Sequence, residues 1–584
     1  MLSLISLLIA CLAGVLPSAR SVQHCRCTYG DACWPSSGDF NRLEQQLSRS
    51  LIYPSPYAKP CYINATSPAC TAIMDSRDDG NWRASQPGAM QSPNFETYTF
   101  ANGTVDACYL ETSLGTPCHQ GSVSVVGVDA HTVEDIQAAV AFASQHNLRL
   151  VVKNTGHDYL GRSDGRGSFS VWTHNLKNVT VHSTFRPSGA PDGDGYEYAM
   201  TLGAGVQWHE AYAVANASGR TIVGGVSDGG SVGAAGGWLL GGGHSALSPA
   251  YGLGVDNVLE ISLVTSTGAH IIANEYQHAD LFWALRGGGG GTFGVVTSVT
   301  YRTHAATPVV AAILIASAEG SQSNPTLREA FTELVRITPQ LTDFGWGGYT
   351  IFEPANDTTT FLITYLIPNV SWSQANATIN PYFEYVQALA SNSSGQDTLT
   401  VLTALTQPFP SFYDWFTTII PKVGEVGVNV EIGSRLLPRS TLENEYEHVA
   451  QELLELPDMN YYLVAGGAVS RVDPSKTGLN PAWRQANTHV VIGTSWADGA
   501  TSAEIEQKRG VLRANTAKLR ALAPQSGAYF NEASLYEPNA KEAFFGSHYN
   551  RLRTIKKLYD PRDLFVVAEG VGSDEWTSDL KCRV

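Results

Sequence analysis

The spacing of apolar and polar positions divides the chain into regions of different texture. Leu2 to Leu16 form one apolar run, closed by the small residues Pro17, Ser18 and Ala19. That run is shorter than the ~20 residues a membrane-spanning helix needs. Its small-residue ending has the form of a secretory signal peptide over 1–20. Residues 21–115 keep no period and are rich in Cys, Pro and Ser, so an irregular, cross-linked segment is expected there. "SVSVVGV", Ser122 to Val128, alternates like a strand. "TVEDIQAAVAFASQHN" follows, with Thr132 as N-cap and Ile136, Ala139, Val140 and Ala143 on one helical face. "LRLVV" is the next strand, and it empties into "KNTGHDYLGRS". From Gly203 to Gly254 glycine is dense but interleaved with Trp, Leu and Val. Tight turns that bring backbone close to a ligand fit that pattern better than a flexible linker does. "VDNVLEISLVTSTGAHIIAN" reads as two strands around the Ser266–Gly268 turn. "DLFWALR" reads as a helix and "VVTSVTYR" as a strand.

Residues 306–524 change character. Strand patterns ("TTTFLITYLI", "NTHVVIGTSW") mix with an amphipathic helix pattern ("STLENEYEHVAQELLEL"). The predicted organisation is a signal peptide at 1–20, a Cys-rich segment at 21–115, an α/β region at 116–305, a second α+β domain at 306–524, and a C-terminal segment at 525–584.

Composition narrows the class. The chain is 43 % hydrophobic and 15 % charged, with a net charge of −16 and no basic run. Those values fit a globular protein and argue against a nucleic-acid partner. No later segment is long and apolar enough to suggest a membrane anchor. Of nine cysteines, Cys11 falls in the leader and seven of the other eight precede residue 120. An oxidised framework in a secreted or lumenal protein follows. Eight Asn-x-Ser/Thr sites agree with that: Asn64, Asn102, Asn178, Asn216, Asn356, Asn369, Asn376 and Asn392.

The candidate chemistry centres on His157. His174 and His182 do not stand at helical spacing from it, H-E-x-x-H and G-x-S-x-G are absent, and no metal site is expected. The Gly289–Gly294 run satisfies G-x-G-x-x-G, but a helix precedes it and a strand follows. A Rossmann fingerprint needs the reverse order. The loop Asn154–Gly156 can turn its N–H groups toward a pyrophosphate, and the second glycine block can do so from another side. A phosphate-containing cofactor fits this best, with His157 at the loop's edge.

"VVKNTGHDYLGRS", "GGSVGAAGGWLLGGGHSALSPAYGLGVDNVLEISLVT" and "DLFWALRGGGGGTFGVVTSVTYR" together resemble the flavin domain of berberine-bridge-enzyme-like oxidoreductases of the vanillyl-alcohol-oxidase (VAO) superfamily. "GAYFNEASLYEP" and "RLRTIKKLYDPRDLF" extend the resemblance. The Cys-rich leader and "GVGSDEW" are similar to the fungal isoamyl-alcohol-oxidase branch. The resemblance implies an α+β fold: a two-subdomain FAD-binding domain, plus an α+β substrate domain with an antiparallel sheet. It implies FAD bonded through its 8α carbon to His157. Lys153, Asn154, Thr155 and Gly156 would contact the pyrophosphate. Gly241, Gly242, Gly243 and His244, with Tyr251 and Gly252, would line the rest of the cofactor. Tyr529, Asn531 and Glu532 would face the flavin. Glu532, Glu537 and Tyr529 are the candidate acid/base residues.

Where many relatives carry Cys-Pro-Thr-Val, this chain has "GGSVG". Gly229 or Gly230 replaces the cysteine that makes a second flavin bond, so attachment through His157 alone is expected. Val232 matches the position that gates oxygen. Arg435 and Arg484 also match the branch and are expected to make structural ion pairs. The expected function is a secreted, monomeric FAD-linked oxidase. It would take hydride from an alcohol or secondary-metabolite carbon and pass electrons to O2. A redox-neutral isomerisation by a carboxylic acid, and a flavin-bearing binding protein without turnover, are the alternatives.

Overall fold

The computed structural model describes residues 25–424 and 426–584. The expected signal peptide lies outside the described residues. The first sheet has three parallel strands, with Phe169–Trp172 between Val126–Asp129 and Leu150–Lys153. The helix Val133–Gln145 joins the outer two. Thr132 caps it, its hydroxyl accepting from Asp135 N while the Asp135 carboxylate accepts back from Thr132 N. Such a box stabilises a helix by about 1 kcal/mol. Ile136, Ala139, Val140 and Ala143 are buried, as the spacing predicts. Asn147, at φ +50°, then turns the chain out of the helix.

The strand expected at Ser122 is shorter than its alternation suggests. It begins at Val126, because Ser122 and Ser124 spend their hydroxyls on Thr97 O and on Ser168. An antiparallel five-stranded sheet follows, in the order His270–Asn274, Val258–Val264, Val295–Arg302, Tyr196–Gly203, Val179–Phe185. The expected turn at Ser266–Gly268 sets Val264 opposite His270.

The largest sheet has seven antiparallel strands, all from residues 309–496. Their burial alternates, with Thr359, Phe361, Ile363 and Tyr365 buried and the residues between them half-buried. One face packs on the long helices Pro325–Phe344, Trp372–Asn392 and Ser502–Leu522 to form a core around Phe331, Phe361 and Ile379. The other face is half-buried and carries Ile313, Tyr349 and Tyr462 toward the core shared with the five-stranded sheet. The helix expected over "STLENEYEHVAQELLEL" is broken into Arg439–Asn444 and Tyr446–Leu454. Glu445, at φ −134°, re-aims the apolar stripe between them.

The Cys-rich segment is more regular than its texture suggests. It holds four short helices, Ser37–Glu44, Lys59–Ile63, Pro68–Asp75 and Gly80–Ala84, started by Ser36, Pro60, Ser67 and Asp79. Helices of five to eight residues are too short to show a period. Four disulfides form: Cys25–Cys582, Cys27–Cys33, Cys61–Cys70 and Cys108–Cys118. The first ties the two ends of the described chain together across 557 residues.

Candidate active site

The loop after Leu150–Lys153 is fixed from several sides. Gly156 sits at φ +80°, and a Cβ there would lie 3.1 Å from Ala89 O, so only glycine fits. Gln91 donates to Thr155 O at 2.9 Å, and its own N–H donates to Gly156 O at 3.1 Å. Lys153 reaches Gln86 O through Nζ. The short helices of the Cys-rich segment therefore hold the motif loop in place. Beyond His157, the buried Asp158 carboxylate accepts from Leu160 N and Ser163 N at 3.0 and 2.9 Å. It also pairs with Arg162 Nε at 2.9 Å. Arg162 lies 4.6 Å from the centroid of the Phe530 ring, and its Nη atoms are 3.4 Å from Asn531 Oδ1.

A groove runs along this loop. Asn154, His157, Arg162, Val232, Trp238 and Gly291 line it, with other glycines. His157 hydrogen-bonds Ser231 Oγ through Nε2 at 2.8 Å. Burial, with Arg83 second, pushes its pKa down to about 4. The imidazole is therefore neutral at physiological pH, which leaves a nitrogen lone pair for bond formation.

The tail meets the groove through Tyr529 to Glu532. Asn531 Nδ2 donates to Gly237 O at 2.8 Å and to the Tyr529 hydroxyl at 2.7 Å. The Tyr529 hydroxyl also accepts from Gly243 N at 3.3 Å. Burial, with Glu532 second, raises the Tyr529 phenol above its ordinary range. Glu532 takes two imidazoles: His244 Nε2 lies 2.9 Å from one carboxylate oxygen and His489 Nε2 2.8 Å from the other. Burial alone raises the Glu532 pKa, but the two histidines, His244 foremost, reverse this and hold it well below the usual carboxylate range. Burial lowers the His489 pKa against the pull of Glu532. Glu532 keeps 24 % of its side chain solvent-accessible, in contrast to the buried His489. The three groups lie within 4.8 Å of one another, close enough to share a cation. Neither Nδ1 has the acceptor that orients a metal-bound imidazole. The triad is therefore a hydrogen-bonded one.

The chain matches the FAD binding domain family over 126–274 and the berberine and berberine-like family over 528–572. It is 38 % identical to an FAD-linked oxidoreductase of Arthroderma benhamiae, covering 98 % of this chain and 97 % of that one. It is 34 % identical to the VAO-type flavoprotein oxidase VAO615 of Thermothelomyces thermophilus, over 98 % and 97 %. The crystal structure of a VAO-type flavoprotein, MtVAO615 of Myceliophthora thermophila C1, superposes with a TM-score of 0.83 at 31 % identity, over 96 % of this chain and 100 % of that one. Berberine bridge enzyme of Eschscholzia californica shares the fold, with a TM-score of 0.64 at 15 % identity over 91 % and 98 %. The chain is an FAD-linked oxidoreductase of the VAO, berberine-bridge-enzyme-like family.

The groove of this oxidoreductase suits its cofactor. Asn154, which lines it, keeps a buried side-chain oxygen without a partner. Gly237 leaves open space where a Cβ would stand, and Arg162 supplies a cation for phosphate. FAD would lie along Asn154–Gly156, Arg162 and Gly236–Trp238 and reach His157.

Several sequence-derived roles change. Lys153 buttresses the loop from behind. Gly241, Gly242 and Gly243 let the backbone close on Asn531, Tyr529 and Trp238, so they support the groove from beneath. Tyr251 stacks on His304 at 4.0 Å and its hydroxyl accepts from Asn369, just past the strand Thr358–Pro368. Gly252, at φ +86°, packs against Asp256. His244 belongs to the Glu532 triad. Glu537 faces Arg435 at 3.7 Å, buried, while Arg435 donates to the carbonyls of Ala523 and Ser526. It stands in an ion pair outside the triad. Arg484 makes the expected structural pair, bidentate to Asp256 at 2.7 and 2.8 Å. Within "GGSVG" the side chain that reaches His157 is Ser231. Gly229 and Gly230 instead close on Lys422 O and His209. Sequence reasoning missed His489 and Arg162. Cys25 and Cys27 are both in disulfides and offer no thiolate to a metal.

Proposed function

We propose that this enzyme is a secreted oxidase carrying FAD covalently on His157 alone, and that it oxidises an alcohol or secondary-metabolite carbon with O2 as electron acceptor and H2O2 as product. The observation that carries the reading is the buried His157, its pKa pushed down to about 4, at the edge of the groove lined by Asn154, Arg162 and Trp238, with glycine, Gly229 or Gly230, where relatives carry the cysteine of a second tether. When bound, the flavin accepts a hydride and returns the electrons to oxygen. The chain's own residues do the rest. Arg162 and the Asn154–Gly156 loop hold the phosphates. Asn531 and Tyr529 fix the Gly237–Trp238 wall. The His244–Glu532–His489 triad stands beyond Tyr529 and takes the substrate's heteroatom proton. Val232 at the groove sets the approach of oxygen. The four disulfides and eight Asn-x-Ser/Thr sequons support a secretory route, and no described helix is long and apolar enough to cross a membrane. The protein is taken to act as a monomer.

A redox-neutral isomerisation needs a protonated carboxylic acid beside the flavin. Glu532 is held ionised, and Glu537, raised by burial, faces Arg435. The oxidase reading is therefore preferred. Oxygen uptake and peroxide release are the test, measured against a panel of primary and secondary alcohols. A product formed stoichiometrically without oxygen uptake overturns the oxidase.

A further inference from the structure

The hydrogen bonds of the triad fix more than its shape. An ionised carboxylate only accepts, so both Nε2 atoms facing Glu532 carry hydrogen. An imidazole with a single N–H, donated through Nε2, presents Nδ1 as a bare lone pair, and this is the state assigned here to the two Nδ1 atoms. Both are buried and neither has a hydrogen-bond partner. A buried acceptor left unpaired is unfavourable, and here two lie on rings 5.5 Å apart. Tyr349, Tyr462, Trp483 and Tyr529 surround the His244 ring with centroids at 5.3–6.5 Å. The two imidazoles differ in access. His489 is fully buried in its strand, opposite Tyr462 and Leu436, whereas His244 follows the Gly241–Gly243 turn and its side chain keeps 8 % exposure at atoms other than the buried Nδ1.

We propose that His244 is the catalytic base and that Glu532 and His489 are positioning residues. Nδ1 of His244 accepts the hydroxyl proton of the substrate. Glu532 holds the ring in the Nε2–H tautomer, and His489 locks the second carboxylate oxygen. This rests on the oxidase reading above and moves the base from the carboxylate to the imidazole it orients. The step balances. The alcohol O–H proton goes to Nδ1, the C–H leaves with its electron pair for the flavin, and C=O forms. O2 then takes two electrons and two protons to give H2O2, one proton being that held on His244 and the other that of the hydride the flavin accepts. The carboxylate–imidazole–hydroxyl order is the general logic of a nucleophile's base and its orienter, here serving hydride loss.

Two measurements on the holoenzyme test this. In 15N-histidine-labelled protein, long-range nitrogen–proton correlation reads the tautomers, with His244→Gln and His489→Gln as assignments. Nε2–H with bare Nδ1 at His244 is expected; Nδ1–H there overturns the proposal whatever the substrate. In anaerobic mixing with 3-methylbutan-1-ol or benzyl alcohol as probes, flavin bleaching in His244→Ala should fall about 10²–10⁴-fold, the usual worth of a general base. Added imidazole should restore at least tenfold of it, while Glu532→Gln should be slowed and not restored. A His244→Ala rate within threefold of the parent, or one untouched by imidazole, sinks the assignment and leaves the oxidase reading standing. If neither alcohol bleaches the flavin, the oxidase reading falls and the tautomer measurement alone decides the base.

Discussion

Replacing Gly241 by alanine should disrupt the joint between the C-terminal tail and the cofactor groove without straining the backbone. Gly241 has φ −92°, which any residue adopts. A Cβ there would stand 2.5 Å from Asn531 Oδ1 and 2.6 Å from Nδ2, so the amide must leave its place. Asn531 Nδ2 has two hydrogens, directed to Gly237 O and the Tyr529 hydroxyl. Losing both costs about 2 kcal/mol, at about 1 kcal/mol each, and residual crowding adds about 1 kcal/mol more. The total, about 3 kcal/mol, should appear as a lower thermal midpoint followed by flavin fluorescence and as reduced flavin occupancy. The decisive comparison is a double-mutant cycle. Asn531→Ala alone should lose the same about 2 kcal/mol. In that background Gly241→Ala should add almost nothing, because the clashing amide is gone. The coupling should therefore be about 3 kcal/mol, the whole effect of the single Gly241→Ala change. Additive effects, within about 0.5 kcal/mol, would refute the reasoning that Asn531 carries the joint.

Other outcomes follow from the same geometry. Arg162→Met should lower both flavin occupancy and the thermal midpoint, since removing one partner of a buried pair costs about 3 kcal/mol or more; an unchanged midpoint in calorimetry counts against the Asp158 pair. His157 has a folded pKa lowered to about 4, below the ~6.5 of the unfolded chain, so this group's contribution to stability is lost as pH falls from about 6.5 toward 4. Flavin attachment to apo-protein should accordingly be within about twofold at pH 5 and pH 7, where an ordinary histidine of pKa ~6.5 would be only ~3 % neutral at pH 5. A thirtyfold fall at pH 5 would contradict the buried, neutral imidazole. Removing Cys25 and Cys582 together opens a 557-residue loop, with a chain-entropy effect of up to about 6 kcal/mol. The thermal midpoint should drop without loss of the flavin spectrum at 25 °C.

Local patterns predicted the parts of the fold that local physics decides. The Thr132-capped helix, the hairpin over 258–274 and the strand after the glycine run all follow from period and turn chemistry. The oxidised framework followed from cysteine number, but Cys25 pairs with Cys582 because the tail folds back, which no spacing encodes. The triad was half legible. Glu532 stood in a recognisable tail motif, and His244 ended a glycine run, yet nothing joined them. His489 lies in "NTHVVIGTSW", where one polar ring in a buried strand looks like packing. Only the seven-stranded register, with His489 opposite Tyr462, brings it to the carboxylate. Glu532 and Glu537 could not be separated by sequence either. They sit in a turn-rich stretch with no helical period to say which faces the cofactor, and Arg435 claims Glu537 from a strand about a hundred residues away. Arg162 gave no signal because its partners, Asp158 and Phe530, belong to a loop and a distant tail.

The central claim is that one histidine carries the flavin. Acid precipitation of the purified enzyme, followed by proteolysis and mass measurement of the yellow peptides, tests it directly. Colour should stay with the polypeptide and map to one peptide containing His157, and His157→Ala should release all of it on precipitation. Colour on a peptide lacking His157, a second flavin-bearing peptide, or a colourless pellet from the parent enzyme contradicts the account.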